Sequence, residues 1–355
     1  MFCIFVLAVE ISTSSVRILQ LTDLHYGEGD WQDEMNSNAQ ENQLLWEHPD
    51  LTVVTGDLVS GYAWPSTQGW YNQSYQKFIK PFKKHNAPWA LVLGNHDIEA
   101  DLTGHEIMEM DKREALSLSS IEISSLSHSS NYYIPITHKG QLKLIVWAID
   151  TGNRNHLEFG YDKIHEDQYE WIRSVQKVVK LVSGQDVPGI VFVHIPPPEF
   201  MDVWPESKGH RFENVACPGD HSRTLVKGLD NIIAFVAGHD HFNDYEGEIE
   251  GIKLYHGRKT GYAGVGPEPH FNKGARVFEY RFEDKVLDSW IREENGEVVR
   301  LKGRKGLLEV QATCAESVSD RYKWILILLS IGFSLLIALF YYLKKLKDKE
   351  LRFTL

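Results

Sequence analysis

Cysteine is nearly absent from this chain: three among 355 residues, at positions 3, 217 and 314. No Cys-x-x-Cys pair exists, which argues against thiolate zinc sites. Cys217 and Cys314 could pair in an oxidising compartment, but a pair so far apart in sequence cannot be assigned without geometry. A surplus of positive charge is missing too. Against 49 Asp and Glu stand 37 Lys and Arg, a net charge of −12. A nucleic-acid binder needs a basic face, so no nucleic-acid partner is expected. The imbalance is uneven: Lys344, Lys345, Lys347, Lys349 and Arg352 against Asp348 and Glu350 leave +3 in the tail, hence −15 before it. Internal repeats and long low-complexity tracts are lacking. Long apolar runs are lacking as well, with one exception.

That exception is Trp324–Leu343, an uncharged run of about 20 residues and long enough to cross a bilayer. Arg321 and Lys323 precede it, and basic residues follow it. Tyr322, Trp324, Tyr341 and Tyr342 stand where aromatic belts belong. The reading is a single-pass C-terminal transmembrane helix. The basic excess places the tail, 344–355, in the cytosol and the large domain in a lumen or outside the cell. That orientation requires translocation, so the short apolar run Phe2–Val9 is read as the core of a signal peptide within 1–15, although a basic leader is absent and Glu10 flanks it. The expected organisation is then a catalytic domain over 16–302, a stalk over 303–323, the span 324–343 and the tail.

Between the ends, strand patterns alternate with helical ones, which predicts an α/β layered domain. Strands are expected at Val16–Thr22, Leu51–Thr55, Trp89–Leu93, Leu142–Ile149, Ile190–Val193 and Ile232–Ala237. Later strands are expected at Ile252–Tyr255, Ala275–Phe282 and Val286–Ile291. Helices are expected at Met35–Glu47, Tyr71–Phe82 and Ile164–Val182, with Ile107–Leu126 partly helical.

Five of these strands end alike. Leu91-Val92-Leu93 runs into Gly94-Asn95-His96-Asp97. The others run into Asp23-Leu24-His25, Gly56-Asp57, His194 and Gly238-His239-Asp240-His241. Each fragment alone is weak, since Asp-x-His and Gly-Asp recur by chance. Together they supply what a two-metal site needs. A shared carboxylate can serve both metals, and neutral imidazoles and oxygen donors suit borderline ions. The candidate donors are Asp23, His25, Asp57, Asn95, His194, His239 and His241. The i, i+2 spacing in Asp23-x-His25 and His239-x-His241 puts both members on one face if the strands continue. Glycine before the polar group permits a sharp turn and close backbone approach.

This ladder resembles the calcineurin-like metallophosphoesterase superfamily from residue 16 to about 290. Phe159-Gly160-Tyr161-Asp162, Val193-His194-Ile195-Pro196-Pro197-Pro198-Glu199, Gly238-His239-Asp240-His241-Phe242-Asn243-Asp244 and the glycine-rich Tyr255–Gly266 resemble the small purple acid phosphatase-like proteins of plants, fungi and protists. The resemblance implies a four-layer α/β/β/α sandwich of two mixed sheets, with the site at strand ends. It implies that Asp23, His25 and His241 hold one metal, that Asn95, His194 and His239 hold the other, and that Asp57 bridges them. His96 would bind no metal and would protonate the leaving oxygen or steady the phosphate. One departure is visible. Purple acid phosphatases carry a metal-binding Tyr three residues after the bridging Asp, and this chain has Ser60. A colourless enzyme is expected, with Fe, Mn or Zn favoured and Mg tolerated.

Other residues are read less sharply. Asp97 could orient His96 or cap a turn. Asp240 reads as a turn residue. Asn243 and Asp244 could hold the loop of His241. Arg258 and Tyr262 could touch substrate or serve the loop. His256 and His270 are expected on the surface. Tyr62, Trp64, Trp70 and Tyr71 are read as packing rather than as a cleft. The expected function is hydrolysis of phosphomonoesters at a membrane surface by a hydroxide shared between two metals, with His96 as general acid. The rivals are a phosphodiesterase acting on nucleotides or lipid head groups, and a scaffold without activity.

Overall fold

The computed structural model describes residues 8–121, 125–154, 160–215, 229–307, 325–340 and 342. The three cysteines, Phe159, residues 1–7 of the expected signal peptide, most of the expected stalk and the basic tail lie outside these residues. The chain divides into two units, Met1–Cys314 and Ala315–Leu355.

In the first unit the chain enters through β1 (Val9–Glu10), β2 (Ser15–Leu21), helix α1 (Asp30–Glu47) and β3 (Leu51–Thr55). Helix α2 (Trp70–His85), β4 (Trp89–Val92), helix α3 (Gly104–Asp111), β5 (Tyr132–His138) and β6 (Gln141–Ala148) follow. Then come α4 (Glu166–Ser183), β7 (Gly189–Phe192), α5 (Glu199–Val203), β8 (Gly209–Arg211) and β9 (Ile232–Ala237). The remaining strands are β10 (Glu246–Ile249), β11 (Ile252–His256), β12 (Gly274–Arg281), β13 (Leu287–Glu293), β14 (Val298–Val299) and β15 (Arg304–Gly306).

Two mixed sheets result. One has the order β1-β5-β6-β7-β9-β11-β10, the other β14-β13-β12-β2-β3-β4. Alternation along β6 shows how the layers stack. Leu144, Val146 and Ala148 join the core between the sheets, while Ile145, Trp147 and Ile149 face the opposite way. There they meet Tyr169, Trp171, Ile172 and Val179 of α4 and Phe200, Met201 and Val203 of α5. A strand buried on both faces carries apolar residues at both parities, which is why β6 reads as a continuous apolar run. Tyr71, Tyr75, Phe78 and Phe82 of α2 and Leu44 of α1 cover the second sheet. The α/β/β/α layering expected from the resemblance is present. Each sheet holds a parallel run, β2-β3-β4 in one and β6-β7-β9-β11 in the other. Their carboxyl ends therefore open on the same rim of their sheet, where α/β folds place ligands.

Several boundaries differ from expectation for local reasons. Helix α1 begins at Asp30 rather than Met35, with Asp30 and Asp33 in its first turn, where the helix dipole favours negative charge. Helix α2 continues through Pro81 to His85, and Lys83, Lys84 and His85 suit its C-terminal end. Among the described residues of the region around Ile107–Leu126 only Gly104–Asp111 is helical, started by a Thr103/Glu106 capping box. The serines beyond it bond backbone instead: Ser119 Oγ accepts from Leu91 N at 2.9 Å. The folded domain also exceeds 16–302. β1 pairs with β5, and Ile11 is buried, so the expected leader ends inside a sheet. β15 pairs with β8, and Leu307 N donates to Arg211 O at 2.8 Å, so the expected stalk begins inside the domain.

In the second unit residues 325–340 are helical, and Ile325, Leu326, Ile327, Ile331 and Leu335 are exposed around the whole helix. Among the described residues no helix is long and apolar enough to cross a membrane. Trp324, Tyr341 and Leu343 of the expected span lie outside them.

Candidate metal centre

The site forms where β2, β3 and β4 of one sheet meet β7 and β9 of the other. Gln20 ties the sheets together at this rim: its Nε2 donates to Thr55 Oγ1 at 2.8 Å and to Ala237 O at 3.1 Å. Gly238 N donates to His194 O at 2.9 Å, and Asp23 N to Gly56 O at 3.1 Å. The approach is so close that two glycines are obligatory. A Cβ on Gly56 would lie 2.5 Å from the His194 ring, and one on Gly94 would lie 2.3 Å from both Asp57 N and its carboxylate.

The spacing argument for Asp23-x-His25 gives the right convergence for a different reason. β2 stops at Leu21, and Asp23 (φ 55°) and His25 (φ 57°) both adopt the left-handed conformation. So do Asp57 (φ 48°) and His239 (φ 70°). Tight left-handed kinks, rather than a continuing pleat, turn these side chains inward.

Two groups of donor atoms form, and they share Asp57. In the first, His25 Nε2 lies 3.3 Å from His241 Nε2, His241 Nε2 lies 3.4 Å from Asp23 Oδ1, and His25 Nε2 lies 3.8 Å from Asp57 Oδ2. In the second, His194 Nε2 lies 3.3 Å from Asp57 Oδ2, 3.1 Å from Asn95 Oδ1 and 3.1 Å from His239 Nδ1. Donors held by one ion at about 2.0–2.2 Å lie roughly 3.0–3.5 Å apart, so these separations fit two metal ions. Further features support the fit. Asp23 Oδ1 is buried with no hydrogen-bond partner among the described residues. The far nitrogens of two imidazoles are anchored: His194 Nδ1 reaches Thr55 O at 2.8 Å, and His241 Nδ1 reaches Val265 O at 2.6 Å. Donating to those carbonyls leaves Nε2 of each ring as the inward donor.

The field of the site is negative at its centre. Burial opposes charge on Asp57, but His194 and His96 outweigh it and hold the carboxyl well below the usual range. Burial likewise opposes charge on Asp23, which His241 holds low. Against its own burial, His194 is pushed up to about 10 by Asp57. Burial drives His239 down to about 3, which keeps that ring neutral. The carboxylates thus draw positive charge to the cluster, as a cation site does. Beneath it Lys259 is buried with Nζ donating to Asp23 O at 2.7 Å, and burial lowers its amine to about 8. Nothing in the sequence around Lys259 marked it.

His96 stands at the edge of both groups. Its backbone N donates to Asp57 Oδ1 at 2.8 Å, and its ring lies 5.7 Å from that of His25. Nδ1 lies 2.6 Å from Glu99 Oε2. Burial lowers its pKa, but Asp57 and Glu99 more than offset this and raise it. Glu99 is the carboxylate that orients His96, and sequence reasoning missed it. The signal was an i+3 carboxylate, visible only once residues Asp97–Glu99 form a single 3-10 turn. Asp97 has a different task. Its carboxylate accepts from Val59 N at 3.0 Å and from Gly94 N at 2.8 Å, so it braces the turn and does not reach the His96 ring. Burial, then Asp57, pushes Asp97 up to about 7.

Ser60 links His25 to the outside. His25 Nδ1 lies 2.9 Å from Ser60 Oγ, which donates to Glu28 Oε1 at 2.7 Å. Tyr62 also donates to Glu28. The aromatic group at this end is split. Tyr71 is fully buried, whereas Tyr62 is half exposed with its ring 4.7 Å from that of His96, edge to face. Tyr161 places its ring 4.5 Å from His239 on the far side.

The other candidates lie away from the donors. Asn243 Oδ1 accepts from Phe212 N at 3.2 Å and Glu213 N at 3.3 Å, so it holds the loop beside His241. Asp240 accepts from Asn243 Nδ2 at 3.1 Å, as a turn residue does. Asp244 and Arg258 form a fully buried ion pair, with Arg258 Nε 2.8 Å from Asp244 Oδ2. Arg258 also bonds Glu293 at 3.1 Å, so it is a brace and not a substrate contact. Tyr262 donates to Glu294, away from the metals. His256 is fully buried beside Phe200 and Tyr245, against the expectation of a surface position, because it ends the parallel strand β11. His270 is exposed and stacks on Phe212.

Comparison with known proteins follows this geometry. A family model described as Calcineurin-like phosphoesterase matches residues 16–243. "Probable inactive purple acid phosphatase 14" of Arabidopsis thaliana is 27% identical over 315 residues, covering 77% of each chain. A dimetal phosphatase from Danio rerio shares the fold at a TM-score of 0.53 and 12% identity, over 78% of this chain and 95% of its own. A purple acid phosphatase from yellow lupin (Lupinus luteus) seeds matches at a TM-score of 0.50 and 14% identity, over 87% of this chain and 57% of its own.

Proposed function

The chain belongs to the calcineurin-like phosphoesterase family, and from that premise we propose that it is an active, metal-dependent phosphomonoesterase. The observation that carries the reading is His96, bonded through its backbone to Asp57 and through its ring to Glu99. A scaffold has no use for an oriented imidazole at the rim of a donor cluster. The donor set Asp23, His25, His241, Asp57, Asn95, His194 and His239 would hold two ions of iron, manganese or zinc, with magnesium as an alternative. Such a pair supplies a nucleophile at neutral pH and offsets charge on the phosphoryl oxygens.

The protein's own groups do the rest. Asp57 keeps both donor groups in register and fixes His96 through its amide. Glu99 takes up Nδ1 of His96, which leaves Nε2 to carry the proton delivered to the leaving oxygen. Tyr62 packs edge-on against that ring and walls one side of the approach. The Arabidopsis relative bears the word inactive in its name, and that word is said of that protein. Here no donor and no part of the His96–Glu99 pair is lost, which supports activity.

The test is a phosphatase screen with Mn, Zn, Fe and Mg added back, comparing a chromogenic monoester with a diester. Turnover of an alkyl monoester that falls by orders of magnitude in His96→Ala, with metal content kept, is expected. Faster diester turnover assigns the site to phosphodiesters instead. No hydrolysis by a metal-loaded chain refutes an enzymatic role.

We further propose that 324–343 anchors the domain in a membrane, the tail in the cytosol and the domain outside it. The uncharged, apolar composition and the helical 325–340 support this. The full chain should pellet with membranes after alkaline extraction, while a chain ending at 307 should not. Release of both refutes anchoring.

A further inference from the structure

A second cluster of donors lies outside the dinuclear centre. His128 sits on the loop before β5, and Asp162 and His165 lead into α4. His165 Nε2 is 2.9 Å from Asp162 Oδ1, and His128 Nε2 is 3.6 Å from Asp162 Oδ2. One donor atom from each of the three lies within 4.8 Å of the others. Two imidazoles and one carboxylate gathered in one place are a donor set of the kind zinc accepts, though they are spread more widely than ligands already closed on an ion.

The cluster is built, not incidental. The His128 loop is clamped from two directions: Ser127 N donates to Asp167 Oδ2 at 2.7 Å, and Ser129 N to Asp150 Oδ2 at 3.0 Å. Asp150 also accepts from Gly152 N at 2.9 Å, and the His128 ring rests on that glycine, where a Cβ would lie 2.4 Å from it. His128 itself is held at φ 65°, a conformation that costs energy for a non-glycine residue. On the other side, Asp162 N donates to Asn153 O at 2.7 Å, and His165 N to Gln168 Oε1 at 2.7 Å. His128 Nε2 is buried with no hydrogen-bond partner among the described residues. A cavity of about 320 Å³, lined by His128, Asp162 and Arg154 and reaching Gly94, borders the cluster.

We propose that His128, Asp162 and His165 bind a third metal ion, zinc or a similar borderline divalent cation, with a coordination position open to this cavity. The ligands are two neutral imidazoles and a carboxylate, a set that zinc accepts when a water or other oxygen donor fills the fourth place. The loop clamps, the Gly152 seat and the helix-entry bonds are the supports that hold such ligands before metal arrives.

The test uses the full chain, stripped of metal, re-equilibrated with zinc and analysed for zinc per chain. The variant is His128→Asn with His165→Asn. Asn tolerates the left-handed position at 128 and is a good helix cap at 165, so the fold is kept. The variant should hold one zinc fewer than the unaltered chain. Equal zinc content in the two, with the variant folded by circular dichroism, overturns the proposal. A second measurement separates it from the dinuclear reading. In Asp57→Asn, which disables the shared ligand, one tightly held zinc should persist and should vanish when His128→Asn and His165→Asn are added. Persistence of that zinc in the triple variant overturns it too.

Discussion

Glu99→Gln removes one negative charge and leaves the side chain's shape. The carboxylate lies 2.6 Å from His96 Nδ1, a charge-assisted hydrogen bond. Such bonds contribute about 1.5–3 kcal/mol. Glu99 is 30% exposed and His96 is 23% exposed, so solvent competes and the lower end applies. At 1.36 kcal/mol per tenfold, about 1.5 kcal/mol predicts roughly a tenfold loss of turnover. His96→Ala removes the proton donor altogether and should cost about 10²–10⁴-fold. The two losses should also respond differently to leaving group. With a nitrophenyl monoester the departing oxygen needs little protonation, so both defects shrink. With an alkyl monoester both grow, and His96→Ala grows more. The assay is kcat and KM for both esters at matched metal content. If Glu99→Gln turns over alkyl phosphate like the unaltered enzyme, Glu99 does not position His96. If it is as crippled as His96→Ala, the ordering argued here is wrong.

Asp57→Asn should lose the two metals of its own site together with activity, because one oxygen pair serves both donor groups; elemental analysis that finds those two retained contradicts the bridging role. The iron-loaded protein should lack a strong visible tyrosinate band, since Ser60 Oγ bonds Glu28 and His25 in place of a metal-bound phenolate. Asp244→Asn should cost about 3–5 kcal/mol by leaving Arg258 underpaired in the core, on the order of 10 °C in unfolding temperature. Burial disfavours the Asp244 anion, but Arg258 and His210 hold its pKa below the ordinary value of about 3.9. Its contribution is therefore complete above that value and is lost progressively as pH falls below it toward the lowered folded-state pKa. The unaltered protein should lose its stability margin over Asp244→Asn on acidification below about pH 4, read as converging melting curves.

The parts of this molecule legible in the sequence were those with short-range grammar. β6 and α4 were found because periodicity and apolar density mark them, and their ends moved by only a residue or two. The seven donors were legible because each follows an apolar strand directly. What escaped depends on tertiary geometry. Glu99 reaches His96 only through a 3-10 turn that no spacing rule predicts. β5 was missed since Tyr132–His138 carries Pro135, which demotes a strand reading. β15 was missed because Arg304–Gly306 is polar and pairs with a strand nearly a hundred residues earlier. Arg258, read from its glycine-rich segment as a loop residue that could touch substrate, is returned by the chain to Asp244 in the core. His128, Asp162 and His165 went unread as a group because a helix start and a distant loop bring them together.

The left-handed ligands carry a consequence for the history of this chain. Asp23, His25, Asp57 and His239 each sit where an L side chain is disfavoured by about 1 kcal/mol. Glycine at any of these positions would relieve that strain. A lineage that stopped using its metals would therefore drift toward glycine there and gain stability as the site decayed. This chain has accepted none of those four replacements. The penalty it still carries is one that only a use for those four side chains would offset.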